Sequence, residues 1–219
     1  MSGTLYMVAT PIGNQADWSA RAQETLARVD MVFAEDTRVA LRLLRASHIA
    51  TPVKRYDHHS HDRMWPEAER ALKDGDIAYV SDAGTPGVED PGGRLVEATV
   101  AAGFNVSPVP GPSALMAALS VSGFPAERFC VMGFPPKKKG RQTFFDTLAA
   151  THGTVVVYEA VHRIEKTVTE IAARQPQRRM VLARELTKTF EQIIRGSATS
   201  VLEQLSSSTQ KGEYMIVLE

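Results

Sequence analysis

The chain has a single cysteine, Cys130, among its 219 residues, so no intramolecular disulfide can form and a reducing cytoplasm is the compartment that fits. No apolar run approaches the roughly 20 residues that a membrane helix needs, so no membrane span is expected. Met1-Ser2-Gly3-Thr4 has no basic region and leads straight into a strand pattern, so a secretory signal is not expected either. Neither sign of charge is in excess, because 25 Lys plus Arg balance 25 Asp plus Glu. A nucleic-acid partner would have to be met by positive charge concentrated locally. Two nucleotide-binding signatures are missing. No Gly-x-Gly-x-x-Gly follows the first strand pattern, and there is no Gly-x-x-x-x-Gly-Lys-Ser/Thr, which argues against a standard dinucleotide fold and a P-loop NTPase.

What is present is an alternation of short strand-like runs and helical patterns. Strands are expected at 5–9, 31–34, 53–56, 77–81, 106–109 and 129–134, with helices near 17–28, 37–46, 63–73, 93–102 and 113–121. Asp17 or Ser19 can cap the first helix. Nearly continuous apolar strands separated by helices indicate a sheet covered on both faces. Pro135-Pro136-Lys137-Lys138-Lys139-Gly140 is a stiff basic connector that interrupts regular structure. Beyond it come a helix at 141–149, a strand at 154–158, a helix at 163–174, strands at 180–184 and 190–195, a helix at 201–206 and a strand at 213–218. The run at 190–195 is expected to pair antiparallel, since no crossover helix separates it from 180–184. Residues 206–209 read as a polar loop. The chain is therefore α/β, with an N-terminal lobe over 1–120 and a C-terminal lobe over 121–219.

Four loops at strand ends concentrate Gly, Pro and Asp: Thr10-Pro11-Ile12-Gly13-Asn14, Ser81-Asp82-Ala83-Gly84-Thr85-Pro86 with Asp90-Pro91-Gly92, Pro108-Val109-Pro110-Gly111-Pro112-Ser113-Ala114, and Gly133-Phe134-Pro135-Pro136. Glycine lets backbone approach a ligand closely, and proline limits the entropy lost when a loop is ordered. Any one of these can be an ordinary turn. Four of them, mostly after apolar strands, indicate a rigid small-molecule cleft at the carboxyl ends of the strands. Asp82, an acceptor-only carboxylate, suits an amine or a ribose hydroxyl.

Read in order, these and further motifs resemble the ribosomal RNA small subunit 2′-O-methyltransferase I family, which has a tetrapyrrole methylase-like fold. The resemblance runs from Leu5 to Glu219. It includes Val8-Ala9-Thr10-Pro11-Ile12-Gly13-Asn14, Ala34-Glu35-Asp36-Thr37-Arg38, Val80 to Pro86, Asp90-Pro91-Gly92, Pro110-Gly111-Pro112-Ser113-Ala114, Tyr158-Glu159, His162-Arg163, Arg184-Glu185-Leu186-Thr187-Lys188 and Lys211-Gly212-Glu213. It implies two lobes, each a mixed sheet flanked by helices, with S-adenosylmethionine bound in a cleft between them, and a homodimer. It implies cofactor contacts at Pro11, Ile12, Asp82, Gly84, Thr85, Pro86, Ser113 and Ala114, and further ones at Tyr158, Ala183 and Gly212. The substrate it implies is a cytidine ribose of small-subunit (16S) ribosomal RNA, free or in the small ribosomal subunit. A small-molecule or tetrapyrrole methyltransferase of the same fold and a non-catalytic cofactor- or RNA-binding paralogue are the alternatives. The family's Ser-Pro between Tyr-Glu and His-Arg is replaced by Ala160-Val161. Many members also carry a further helical segment after the last strand, so a different mode of RNA binding is expected where that segment contributes.

A sulfonium methyl is already activated, so alignment is the main task, worth up to roughly 7–11 kcal/mol in ideal systems. A ribose hydroxyl also needs a proton acceptor. Glu35, Asp36, Glu159, His162 and Glu185 are the candidates, with Glu185 first and Lys188 as its cationic companion. A structural Arg184–Glu185 ion pair is the plainer reading. Asp36 can simply cap the helix that follows it, which leaves Arg38 as the better substrate contact. Lys137, Lys138, Lys139 and Arg141 precede a helix, where the dipole disfavours cations, so phosphate contact is expected of them unless they are only a solvated loop. His162 and Arg163 add a second contact. No metal is expected, because His58, His59, His61 and Asp62 lack a second spaced ligand pair and read as a polar loop. Cys130 is expected to be a buried strand residue, and Trp18 and Trp65 to be packing residues.

Overall fold

The structure, a computed structural model, describes residues 3–206 and 211–219; of the polar loop expected at 206–209, Ser206 instead ends a helix and the rest lies outside the described residues, as do Met1, Ser2 and Gln210. The chain forms two compact units, Met1–Ser113 and Ala114–Glu219.

The first unit contains β1 (Thr4–Val8), α1 (Ala20–Arg28), β2 (Met31–Ala34), α2 (Thr37–Ala46), β3 (Val53–Arg55), α3 (His61–Asp74), β4 (Ile77–Val80), α4 (Gly92–Ala101) and β5 (Asn105–Val109). Its strands are all parallel, in the order β3-β2-β4-β1-β5. Every residue of β4 is buried, as a strand covered on both faces must be. Trp18, Leu26 and Leu44 pack with Val8, Val32 and Val80 on one face, and Ala68, Leu72 and Leu95 pack with Leu5, Phe33 and Tyr79 on the other. Each large apolar side chain buried in this way contributes roughly 1.5–3 kcal/mol. Ser19, not Asp17, caps α1, its hydroxyl accepting the Ala22 N–H at 3.1 Å. Asp36 caps α2, accepting the Arg38 N–H at 2.8 Å.

The order of the strands positions the site. From β1 the chain travels through α1 on one face towards β2, whereas from β4 it passes through α4 on the other face, across β1, to β5. Neighbouring strands β1 and β4 thus send their connections in opposite directions. The crevice at their carboxyl ends is the switch point at which open α/β sheets bind ligands.

The second unit contains α5 (Ala114–Ser120), β6 (Phe129–Gly133), α6 (Arg141–Ala150), β7 (Thr154–Ala160), α7 (Ile164–Arg174), β8 (Arg179–Arg184), β9 (Gln192–Ser197), α8 (Ala198–Ser206) and β10 (Glu213–Leu218). Its sheet runs β6-β7-β10-β8-β9, with β6 and β7 parallel and the remaining pairs antiparallel. The β8–β9 pair is the antiparallel hairpin expected from the short connection, although β9 begins at Gln192. Ala118 and Leu119 of α5 pack on Val156, Val181 and Val217, so this helix covers the second sheet although the sequence grouped it with the first lobe. Cys130 is exposed, against expectation. Its strand is at the sheet's edge, where Phe129 and Val131 are exposed as well.

Candidate active site

Three loops at the carboxyl end of the first sheet are stitched together by backbone. Thr10 and Gly84 exchange both hydrogen bonds, each at 3.0 Å, across the β1/β4 crevice. Gly84 holds φ +80°, and a Cβ there would lie 3.3 Å from Ile12 Cγ2. Only glycine meets both demands without strain. The Thr85 hydroxyl donates to Pro112 O at 3.0 Å, and Gly111 passes so close to Ala9 that an added Cβ would stand 3.0 Å from the alanine Cβ. Pro11, Ile12, Asp82, Gly84, Thr85, Pro86 and Ser113 therefore share one end of one sheet, and Ala114 opens α5. The Asp90 carboxylate shapes the second loop by accepting the N–H groups of Gly87 at 2.8 Å and Gly92 at 2.7 Å. The Thr10 hydroxyl is buried and has no hydrogen-bond partner among the described residues.

This end of the sheet is acidic. Burial, then the neighbouring Asp82 and Asp90, push the Glu35 carboxyl above its ordinary pKa. Asp82 and Asp90 are raised too, burial being the largest cause in each. Asp36 is the opposite case, since hydrogen bonds from Arg38 hold its carboxyl far below the usual range. Arg38 has its side chain 85% exposed while its guanidinium grips Asp36 at 2.5 Å.

In the second unit, the turn after β8 gathers Glu185, Lys188 and Glu213. Lys188 Nζ lies 2.8 Å from Glu185 Oε1 and 2.8 Å from Glu213 Oε2, and Glu185 Oε1 also accepts the Glu213 N–H at 2.9 Å. Burial opposes ionisation of Glu185, but Lys188 and the Glu213 N–H outweigh it and lower the pKa. Glu185 is therefore a poor proton acceptor and a firm anchor for Lys188. Glu185 and Thr187 both hold positive φ, 49° and 68°, a strain that functional turns store. Gly212 seats the arrangement, because a Cβ on it would come within 2.3 Å of the Glu185 carboxyl carbon. The Arg184 guanidinium turns elsewhere, donating to Lys211 O at 2.7 Å.

The remaining expected residues divide. Lys137, Lys138, Lys139 and His162 are exposed. Arg141 is not available to RNA. It is buried, bonded to Glu170 at 2.9 Å, Thr167 Oγ1 at 2.8 Å and Pro136 O at 3.1 Å, because a desolvated guanidinium must fill its donors. Arg163 is likewise committed, to Glu159 at 2.7 Å and Pro135 O at 2.8 Å. Glu159 is buried and also bound by Thr167 and the Ala160 N–H, which removes it from the candidate bases. Ala183 is a core residue of β8, while Tyr158 lies half-buried against Phe134 with ring centroids 5.3 Å apart. The His58–Asp62 stretch forms a turn leading into α3, in which His61 Nδ1 meets the Tyr56 hydroxyl at 2.6 Å. Trp18 is a core residue and Trp65 packs against the core. Glu213 and the Thr10 hydroxyl were missed. Both stand inside motifs noted in the sequence, but only their surroundings in the fold single them out.

This architecture defines a tetrapyrrole methylase-like protein. The family model for tetrapyrrole (corrin/porphyrin) methylases matches residues 4–202. The solved structure of cobalt precorrin-4 methyltransferase superposes with a TM-score of 0.69 at 16% identity, covering 98% of this chain and 94% of that one. Similarity in sequence is much higher to proteins named ribosomal RNA small subunit methyltransferase I. The protein from Synechocystis sp. is 43% identical over 99% of this chain and 78% of its own length. The one from Xylella fastidiosa is 45% identical over 99% of this chain and 81% of its own. Within the tetrapyrrole methylases, the chain belongs to the ribosomal RNA small subunit methyltransferase I family.

Proposed function

We propose that this chain is an enzyme that methylates the 2′-hydroxyl of a cytidine in small-subunit (16S) ribosomal RNA, using S-adenosylmethionine. The observation that carries the reading is the near-full-length similarity to the named relatives, at 43–45% identity. The first unit fits the cofactor. S-adenosylmethionine is cationic at its sulfonium and ammonium groups, and the loops after β1, β4 and β5 gather the raised carboxylates of Asp82 and Asp90, a buried Thr10 hydroxyl without a partner among the described residues, and a glycine cradle at Gly84 and Gly111. A cation relieves the mutual repulsion of those carboxylates. When bound, the cofactor supplies a methyl group already activated by its positive sulfur.

Pro11, Ile12, Gly84, Thr85, Pro86, Ser113 and Ala114 line the cofactor's seat in this reading, with Asp82 accepting from its polar groups. Tyr158, Ala183 and Gly212 are the contributions proposed from the second unit. Lys188, oriented by Glu185, steadies negative charge on the attacking oxygen, whose proton passes to solvent as the bond from the methyl carbon to sulfur breaks, or on an adjacent phosphate. Arg38, Lys137, Lys138, Lys139 and His162 supply exposed polar or cationic contacts for RNA. A homodimer acting in the cytoplasm belongs to the same reading and rests on the resemblance. Sedimentation equilibrium tests the dimer. No helix among the described residues is long and apolar enough to cross a membrane.

Radiolabelled methyl transfer from S-adenosylmethionine to small ribosomal subunits lacking the modification, followed by nucleoside analysis, tests the reaction. Label in 2′-O-methylcytidine is expected. Cofactor binding without label in RNA would favour the small-molecule or non-catalytic alternative.

A further inference from the structure

The carboxyl ends of β2 and β4 hold two carboxylates that lack a cationic partner among the described residues. Glu35 follows β2, and its half-buried carboxylate accepts the Asp82 N–H. Asp82 gives one oxygen to the Asp36 N–H at 3.0 Å. Neither carboxylate has an ion-pair partner among the described residues, for Arg38, in electrostatic range of Asp82, is already bound to Asp36. The Tyr79 residue is fully buried, its hydroxyl has no hydrogen-bond partner among the described residues, and it is in electrostatic range of Asp90, Glu35 and Asp82. Its ring edge borders the acid group, since a Cβ on Gly92 would stand 2.9 Å from Tyr79 Cε1 and 2.8 Å from Asp90 Oδ1. An unpaired hydroxyl at such depth is costly and calls for an explanation.

Three kinds of group could meet these acceptors. A metal ion does not fit, because no three His, Cys, Asp or Glu among the described residues are placed to hold one. A phosphate is repelled by three carboxylates. A neutral hydrogen-bond donor is welcomed by them; an RNA substrate brings ribose hydroxyls, imino N–H groups and exocyclic amines, and of these the amine is the donor through which Glu or Asp reads cytosine at N4. Arg38, exposed just beyond Asp36, lies where a flanking phosphate would be favoured.

Resting on the RNA reading above, we infer that Glu35 accepts a hydrogen bond from the exocyclic amine of the nucleotide being methylated, so that the site takes cytidine in preference to uridine. Uridine presents a carbonyl oxygen at that place, and two acceptors facing each other repel. Glu35 is thereby a specificity residue, separate from the loops assigned to the cofactor.

The test uses the full chain and two short single-stranded RNAs that differ only in cytidine or uridine at the target position, with binding read by fluorescence anisotropy. Methyl transfer is measured on small subunits carrying the same two nucleotides, and cofactor affinity by calorimetry. The intact protein is expected to favour cytidine about tenfold in binding. Glu35→Gln, which can both donate and accept, should level the two RNAs while leaving cofactor affinity unchanged, and Glu35→Asp should keep the order of preference. A Glu35→Gln protein with the original ratio overturns the inference. So does loss of cofactor binding, or an equal loss of transfer to both nucleotides with RNA binding intact, which would make Glu35 a proton acceptor instead. If the intact protein methylates both nucleotides alike, this inference fails alone; if it neither binds RNA nor transfers methyl to subunits, the RNA reading fails with it.

Discussion

At Gly84 two separate constraints meet: a φ of +80° and the methyl of Ile12 at 3.3 Å from any added Cβ. Gly84→Ala is expected to cost about 1–2 kcal/mol from the left-handed backbone alone, and to weaken S-adenosylmethionine binding in calorimetry because the Thr10 bridge shifts. Thr187 is the converse case. A β-branched residue at φ 68° is strained, so Thr187→Gly is expected to raise the melting temperature while lowering methyl transfer, as the turn that aims Lys188 loosens. Glu35 gives a pH signature. Its folded-state pKa is raised, so the folded protein binds its proton more readily than the unfolded chain, and ionised Glu35 destabilises the fold at neutral pH. Glu35→Gln should therefore raise thermal stability at neutral pH, a gain that disappears as the pH falls below the ordinary carboxylate range. Cofactor affinity should move the other way. A cationic ligand prefers the ionised form of Asp82, so affinity should fall as the pH drops through its raised pKa, with protons released on binding. A calorimetric heat independent of buffer ionisation enthalpy would contradict this.

Helix α6 and the loop before it separate two roles that look alike in sequence. Lys137, Lys138, Lys139 and Arg141 read as one basic run, yet Arg141 is buried against Glu170 and Thr167 while the lysines are exposed. Arg141→Ala should destabilise the fold by about 1–3 kcal/mol, because it strips the buried Thr167 hydroxyl and the partly buried Glu170 of their partner. Replacing the three lysines by alanine should leave stability within about 0.5 kcal/mol. It should also weaken RNA binding and flatten its salt dependence, by a slope of about 0.7–0.9 for each phosphate that is no longer neutralised. Most elements were legible because each carries its own periodicity: α2 spans Thr37–Ala46 as its pattern predicts, and the β8–β9 pairing follows from the short connection. Whether a polar side chain in a given run turns inward, as Arg141 and Glu159 do, depends on what packs over it. Cys130 shows the same limit from the apolar side, since an edge strand has no neighbour to cover it. The cofactor loops were legible as Gly-Pro-Asp clusters. The stitching of Thr10 to Gly84 was not, because it depends on β1 and β4 being neighbours.

Across the molecule, strand order is what turns these separate motifs into sites. The order β3-β2-β4-β1-β5 brings residues some 70 positions apart, Thr10 and Gly84, into one bridge, and β10 brings Gly212 and Glu213 onto the turn that holds Glu185 and Lys188. Ribose methylation of small-subunit ribosomal RNA leaves a direct chemical mark. Alkaline cleavage of RNA requires a free 2′-hydroxyl, so a methylated ribose protects the bond that follows it. Small subunits lacking the modification would be incubated with the protein and S-adenosylmethionine, and their RNA subjected to limited alkaline hydrolysis. One cytidine is expected to become resistant, and to remain sensitive when the cofactor is left out. An alkaline ladder identical with and without cofactor would contradict it.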